Sequence, residues 1–102
     1  MPRYVLVLQW AASSLDYDGL VEVEDCLLRA LPITCDVDGH DFGSGEGNIF
    51  VLTAEPIKAF EVVKHVLGER GLLGTVRAAY RREAEDDFTI LWPESLTEFA
   101  IA

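Results

Sequence analysis

Two short runs, "YVLVLQW" at residues 4–10 and "NIFVLT" at residues 48–53, are apolar at almost every position. A strand with one wet face alternates apolar and polar residues, and an amphipathic helix carries a stripe. An unbroken apolar run of this length therefore describes a strand buried on both faces. Each run belongs in the centre of a sheet, and both faces of that sheet must be covered.

The segments between and after these runs supply the rest of a fold. "AASS" offers Ser13 and Ser14 as helix N-caps, with Ser13-x-x-Asp16 as a capping box. Leu20, Val23, Leu27 and Leu31 then recur on one face of a helix that Pro32 ends. Asp18, Glu22 and Asp25 occupy the opposite face, where Arg29 is expected to pair with Asp25. Residues 33–42 mix β-branched side chains with Asp36, Asp38 and Asp41, as suits a charged edge strand. Glu55-Pro56 opens a second helix, with Phe60, Val63 and either Val66 or Leu67 as its buried stripe and Gly71 as its C-terminal cap. "LLGTVRAAYRR" reads as a fourth strand, and Arg77, Arg81 and Arg82 mark it as an edge. "FTILW" reads as a short fifth strand returning along the fourth until Pro93 stops it. The tail "ESLTEFAIA" is either a short docked helix or a frayed end.

The order βαββαβ, with two apolar and two charge-bearing strands, predicts an α+β fold. It is a ferredoxin-like two-layer sandwich: an antiparallel sheet with the first and third strands side by side, two helices on one face, and a short C-terminal strand or tail. Residues 1–102 form a single domain with no linker. Two helices leave the other face bare. Val5 and Val7 point opposite to Tyr4, Leu6 and Leu8, and Ile49 and Val51 oppose Phe50 and Leu52. The set facing away from the helices needs the C-terminal segment, a second copy of the chain or a ligand, and dimerisation or a C-terminal cover is expected.

Eighteen acidic against eight basic residues give a formal charge of -10. That charge repels a phosphate backbone and an anionic membrane alike, so nucleic acid and membrane are disfavoured as partners and a basic protein is favoured. Arg77, Arg81 and Arg82 are the only basic cluster, and Glu83, Glu85, Asp86 and Asp87 beside them point to local ion pairing. No apolar run reaches the roughly 18 residues a spanning helix needs, and no cleavable leader is evident, which implies a cytoplasmic protein. Cys26 and Cys35 form no C-x-x-C pair and read as reduced, half-buried thiols.

Most of the candidate chemistry lies in "DGHDFGSGEGN", residues 38–48. In the expected topology this hairpin meets the exit of the first strand, so Gln9, Trp10, Ser13 and Ser14 become neighbours of His40, Asp41, Glu46 and Asn48, and the six candidate binding residues are Asp38, His40, Asp41, Glu46, Asn48 and Trp10. A small polar binding site could form there. A calcium loop is excluded, because counting from Asp36 the position that requires glycine is Asp41. Alternation along a strand sends His40 and Asp41 to opposite faces, against a zinc or manganese site. Gly43, Gly45 and Gly47 match neither the dinucleotide nor the P-loop spacing, and Asp41 and Glu46 would repel an anion. His40 with a carboxylate could act as a general base, but Ser44 lacks a nucleophile elbow and neither cysteine has a histidine nearby in sequence. No catalytic residue, metal or cofactor is assigned. His65, one turn from Glu61 and Glu69, belongs to a solvated face, and Trp10 and Trp92 read as core anchors.

The run resembles a D-G-H-D-x-G-x-G-E-x-N-I-F segment found in a group of short acidic bacterial proteins. It is matched by Asp38, Gly39, His40, Asp41, Gly43, Gly45, Glu46, Asn48, Ile49 and Phe50. The resemblance implies no activity, cofactor or partner. The expected function is a small acidic protein-interaction or binding module, immunity-like or regulatory, that engages a protein partner or itself as a homodimer. The alternative is a small enzyme or metal- or ligand-binding protein with its site at the 38–48 hairpin.

Overall fold

The computed structural model describes residues 3–102. The first apolar run becomes β1 (Tyr4–Ala11), and α1 (Tyr17–Ala30) follows it. The acidic segment becomes β2 (Asp36–Gly43), and the second apolar run lies in β3 (Glu46–Thr53). Then come α2 (Pro56–Glu69), β4 (Arg77–Arg82) and β5 (Thr89–Trp92). The fold is α+β, with one five-stranded sheet in the order β2-β3-β1-β4-β5 and every pair antiparallel. β4 is not an edge, because β5 pairs along its outer side. The edges are β2 and the four-residue β5.

One core unites alternate residues of the central strands with both helices. Leu6, Leu8 and Trp10 of β1, Ile49 and Val51 of β3 and Ala78 of β4 pack with Leu20, Val23 and Leu27 of α1 and with Ala59, Phe60, Val63 and Leu67 of α2. Leu67 supplies the last buried position of the second helix, and Val66 is only half-buried. Trp92 closes the rim. Its Nε1 donates to the Leu73 carbonyl at 2.9 Å, and its ring lies against Phe60.

The helix ends differ in part from the sequence reading. Asp16, and neither serine, is the N-cap of α1: its carboxylate accepts from the Gly19 N–H at 2.8 Å. Ser13 and Ser14 lie in the preceding turn, where the Ser14 and Leu15 N–H groups both donate to the Ala11 carbonyl. The chain leaves β1 too tightly for the helix to start there. At the end of α2, Gly71 has φ +71°, its N–H reaches the Gly68 carbonyl, and the Leu72 N–H reaches the Leu67 carbonyl. Together these two bonds form a Schellman cap. Arg29 approaches the Cys26 sulfur, as does Arg70, in place of the expected pairing of Arg29 with Asp25.

The face away from the helices is also closed. Val7 and Ala79 are fully buried there, and Val5, Gln9 and Asn48 nearly so. The tail is neither a helix nor a frayed end. Phe99 packs on Phe88 with ring centroids 4.9 Å apart, the Ala100 carbonyl accepts from Gln9, and the Ala102 N–H donates to Glu46. The C-terminal segment thus lies on the second face. Near the acidic turn after β4, Arg81 donates to the backbone carbonyls of Arg82, Glu83 and Glu85, so it caps the turn where ion pairing was expected.

Close packing around Gly47 leaves little room for a side chain. A Cβ on Gly47 would lie 3.0 Å from Phe42 Cδ2 and 3.1 Å from Leu20 Cδ2. Phe42 is exposed and can swing aside, but Leu20 is fully buried. We expect Gly47→Ala to lower the free energy of unfolding by about 1–3 kcal/mol in urea titrations, as for other overpacked cores. Gly43→Ala, with open space around it, should stay within about 0.5 kcal/mol of the parent.

Candidate functional site

The hairpin joining β2 to β3 turns through two residues, Ser44 at φ +54° and Gly45 at φ +82°. Positive φ at both central positions is the signature of the tight turn that matches strand twist, and glycine takes its second position without strain. The Gly45 carbonyl then accepts from the Ala12 N–H at 2.9 Å, tying the hairpin to the exit of β1. The glycine-rich run is therefore first a device for bringing β3 beside β1.

Register then decides which polar groups meet. Gln9 stands opposite Asn48 and Ala11 opposite Glu46, so Gln9, Asn48 and Glu46 share the face away from the helices. Gln9 Nε2 lies 2.9 Å from Glu46 Oε2, 3.1 Å from Asn48 Oδ1 and 2.9 Å from the Ala100 carbonyl. Asn48 Nδ2 donates to the same Glu46 oxygen at 3.2 Å, and the Ala102 N–H does so at 3.1 Å. Both amides are 1% exposed. Without partners each would cost about 1–3 kcal/mol, so the mutual bonding is what permits polar groups in an otherwise apolar sheet centre.

His40 faces the other way. It stands opposite Ile49, on the helix side, where its Nδ1 lies 3.0 Å and 3.2 Å from the two carboxylate oxygens of Glu24 on α1. Tyr17 meets the His40 ring edge-on and does the same to Phe42. Glu24 orients the imidazole and leaves Nε2 for anything that approaches from outside. Ser44 sits in the turn at φ +54°, and among the described residues neither cysteine is bonded to His40.

The six residues read from the sequence thus fall into separate places. Glu46 and Asn48 join Gln9. Asp41 stands opposite Asn48, and Asp38 lies at the irregularity between Val37 and Gly39, both exposed to solvent. His40 belongs to a patch with Glu24, Tyr17 and Phe42. Trp10 is fully buried beneath the helices, with no hydrogen-bond partner for its Nε1 among the described residues. No group of three or more histidine, cysteine, aspartate or glutamate side chains among the described residues is arranged to hold a metal ion.

Sequence reasoning missed Glu24 and the tail backbone as partners. Glu24 offered no signal beyond its place beside the buried stripe of α1. It also missed a cleft of about 190 Å³ at the opposite end of the sheet, lined by Pro32, Cys35, Thr53, Glu55, Lys58 and Val62 among others. There the Thr53 hydroxyl accepts from the Glu55 N–H at 3.0 Å and lies 3.5 Å from the Cys35 sulfur. Lys58 is held at 2.8 Å by Glu55, whose hydrogen bond raises the ammonium pKa above its ordinary value.

Comparison of the chain with family models, curated proteins and solved structures found no match.

The amide–carboxylate network makes a sharp electrostatic prediction. Asn48→Asp replaces a donor to Glu46 with a second carboxylate inside the same cluster. The two acids would then have raised folded-state pKa values, so the penalty is absent at low pH and grows as pH rises through them. Thermal melts should show the variant close to the parent near about pH 3 and destabilised by about 2–4 kcal/mol at about pH 7. A deficit independent of pH would refute this electrostatic account.

Proposed function

We propose that the protein is an acidic interaction module, built on a ferredoxin-like βαββαβ frame with β5 added at one side, that binds a basic protein partner along β2. The adjacency of β1 and β3, with β2 and β4 outside them, supports that frame. The observation that carries the function is β2 itself: an eight-residue edge strand with Asp36, Asp38 and Asp41 exposed along it. An edge strand offers unpaired N–H and C=O groups to an incoming chain. Its carboxylates repel a second copy of the same strand and favour a lysine- or arginine-rich one. Tyr17 and Phe42, 49% and 37% exposed, supply aromatic surface beside it for an apolar anchor.

This is the chemistry expected of a protein that neutralises or regulates a basic partner.

The test is a titration of isotope-labelled protein with a synthetic peptide of alternating lysine and valine. We expect backbone amide shifts concentrated at residues 36–43. The affinity should fall roughly tenfold or more between about 50 mM and about 300 mM salt, as screened charge pairs require. Replacing Asp36, Asp38 and Asp41 together by asparagine should remove most of that salt dependence. Shifts at the β5 edge in place of β2, or binding indifferent to salt, would exclude this reading.

A further inference from the structure

The Gln9–Glu46–Asn48 cluster touches the tail at two backbone atoms, the Ala100 carbonyl and the Ala102 N–H. In an extended chain the C=O of one residue and the N–H of the residue two further on point to the same side, and a neighbouring strand would take up that pair. The Gln9 amide and the Glu46 carboxylate supply the matching donor and acceptor from side chains. Ala100 and Ala102 are exposed and contribute no polar side chain. The contact therefore reads two backbone groups spaced two residues apart and no side chain.

Two further observations make this contact exchangeable. Gln9 Nε2 has two hydrogens and three acceptors within 3.1 Å. When the Ala100 carbonyl leaves, both hydrogens keep partners on Glu46 and Asn48, and no buried donor is orphaned. The tail after Pro93 has no helix or strand and is held at its end by the Phe88–Phe99 pair and these two bonds. No strand ladder holds the segment, so its release breaks the aromatic contact and these two bonds.

We propose that Gln9, Glu46 and Asn48 form a binding site for an extended peptide, that residues 99–102 occupy it as an exchangeable self-ligand, and that the same segment of a second copy of the chain occupies it in trans. The second copy is the occupant because its segment is identical to the one whose fit is seen. The outgoing tail also uncovers the sheet at Gln9 and Glu46, which the incoming one covers again. Such an exchange leaves the contacts unchanged and alters only which chain supplies them.

The test uses the full chain, isotope-labelled, with an unlabelled peptide of sequence ESLTEFAIA, following the side-chain amide signals of Gln9 and Asn48. The tethered tail competes at a millimolar effective concentration. We expect saturable shifts with a midpoint near about 1 mM for the parent and at least about tenfold lower for Phe99→Ala, whose own tail has lost its anchor. Should Phe99→Ala fail to fold, Ala102→Pro, which removes the N–H that Glu46 accepts, serves in its place. Sedimentation of the parent at about 1 mM should show a reversible dimer that excess peptide dissolves. Side-chain amide signals that do not move in parent and variant, or a chain that stays monomeric at that concentration, would overturn the proposal.

Discussion

The pairing of β1 with β3 sets the position of almost everything else in this molecule. Eight successive rungs, from Tyr4 opposite Thr53 to Ala11 opposite Glu46, align two apolar strands so that their alternate residues form two apolar faces. One face receives both helices, and the other receives the C-terminal segment. A slip of one residue would exchange Val7 for Leu6 and Gln9 for Trp10, burying amides under the helices and presenting an indole to the tail. The tight hairpin at Ser44-Gly45 and the bond from Ala12 to Gly45 hold that register from one end.

The parts of the fold written most plainly in the sequence are those governed by local rules. The stripe Leu20, Val23, Leu27 and Leu31 is buried as its period requires, and Pro32 and Gly71 end their helices for reasons that act within a few residues. Charge on Arg77, Arg81 and Arg82 misled the reading of β4. These side chains find solvent and turn carbonyls without leaving the strand unpaired, so charge alone does not make an edge. The N-cap was misplaced because two serines and an aspartate compete for the role over four residues. The geometry of the exit from β1, which decides among them, is a tertiary fact.

The hairpin shows the same division. Strand alternation separates His40 from Asp41, yet the expected topology suggested one shared pocket. The strand has two sides, and one side meets α1 while the other meets the tail. The partners that give those polar groups their setting, Glu24 for His40 and the Ala102 backbone for Glu46, lie 16 and 56 residues away in sequence, where no pattern links them. Gln9 was the visible clue, as the sole polar residue in an apolar strand.

Trp10 illustrates how large terms override small ones. Burying an indole removes roughly 150–250 Å² from water, worth about 4–6 kcal/mol at about 25 cal/mol per Å². That exceeds the about 1–3 kcal/mol lost by leaving its N–H without a partner. The two tryptophans consequently occupy different settings: Trp10 is fully buried with no partner for its Nε1 among the described residues, while Trp92 is half-buried and bonded to the Leu73 carbonyl. Solvent relaxation shifts indole emission to the red. The protein therefore carries two intrinsic optical reporters, a blue one beneath the helices and a redder one at the rim, in β5, that separate loosening of the helical layer from fraying of the sheet edge.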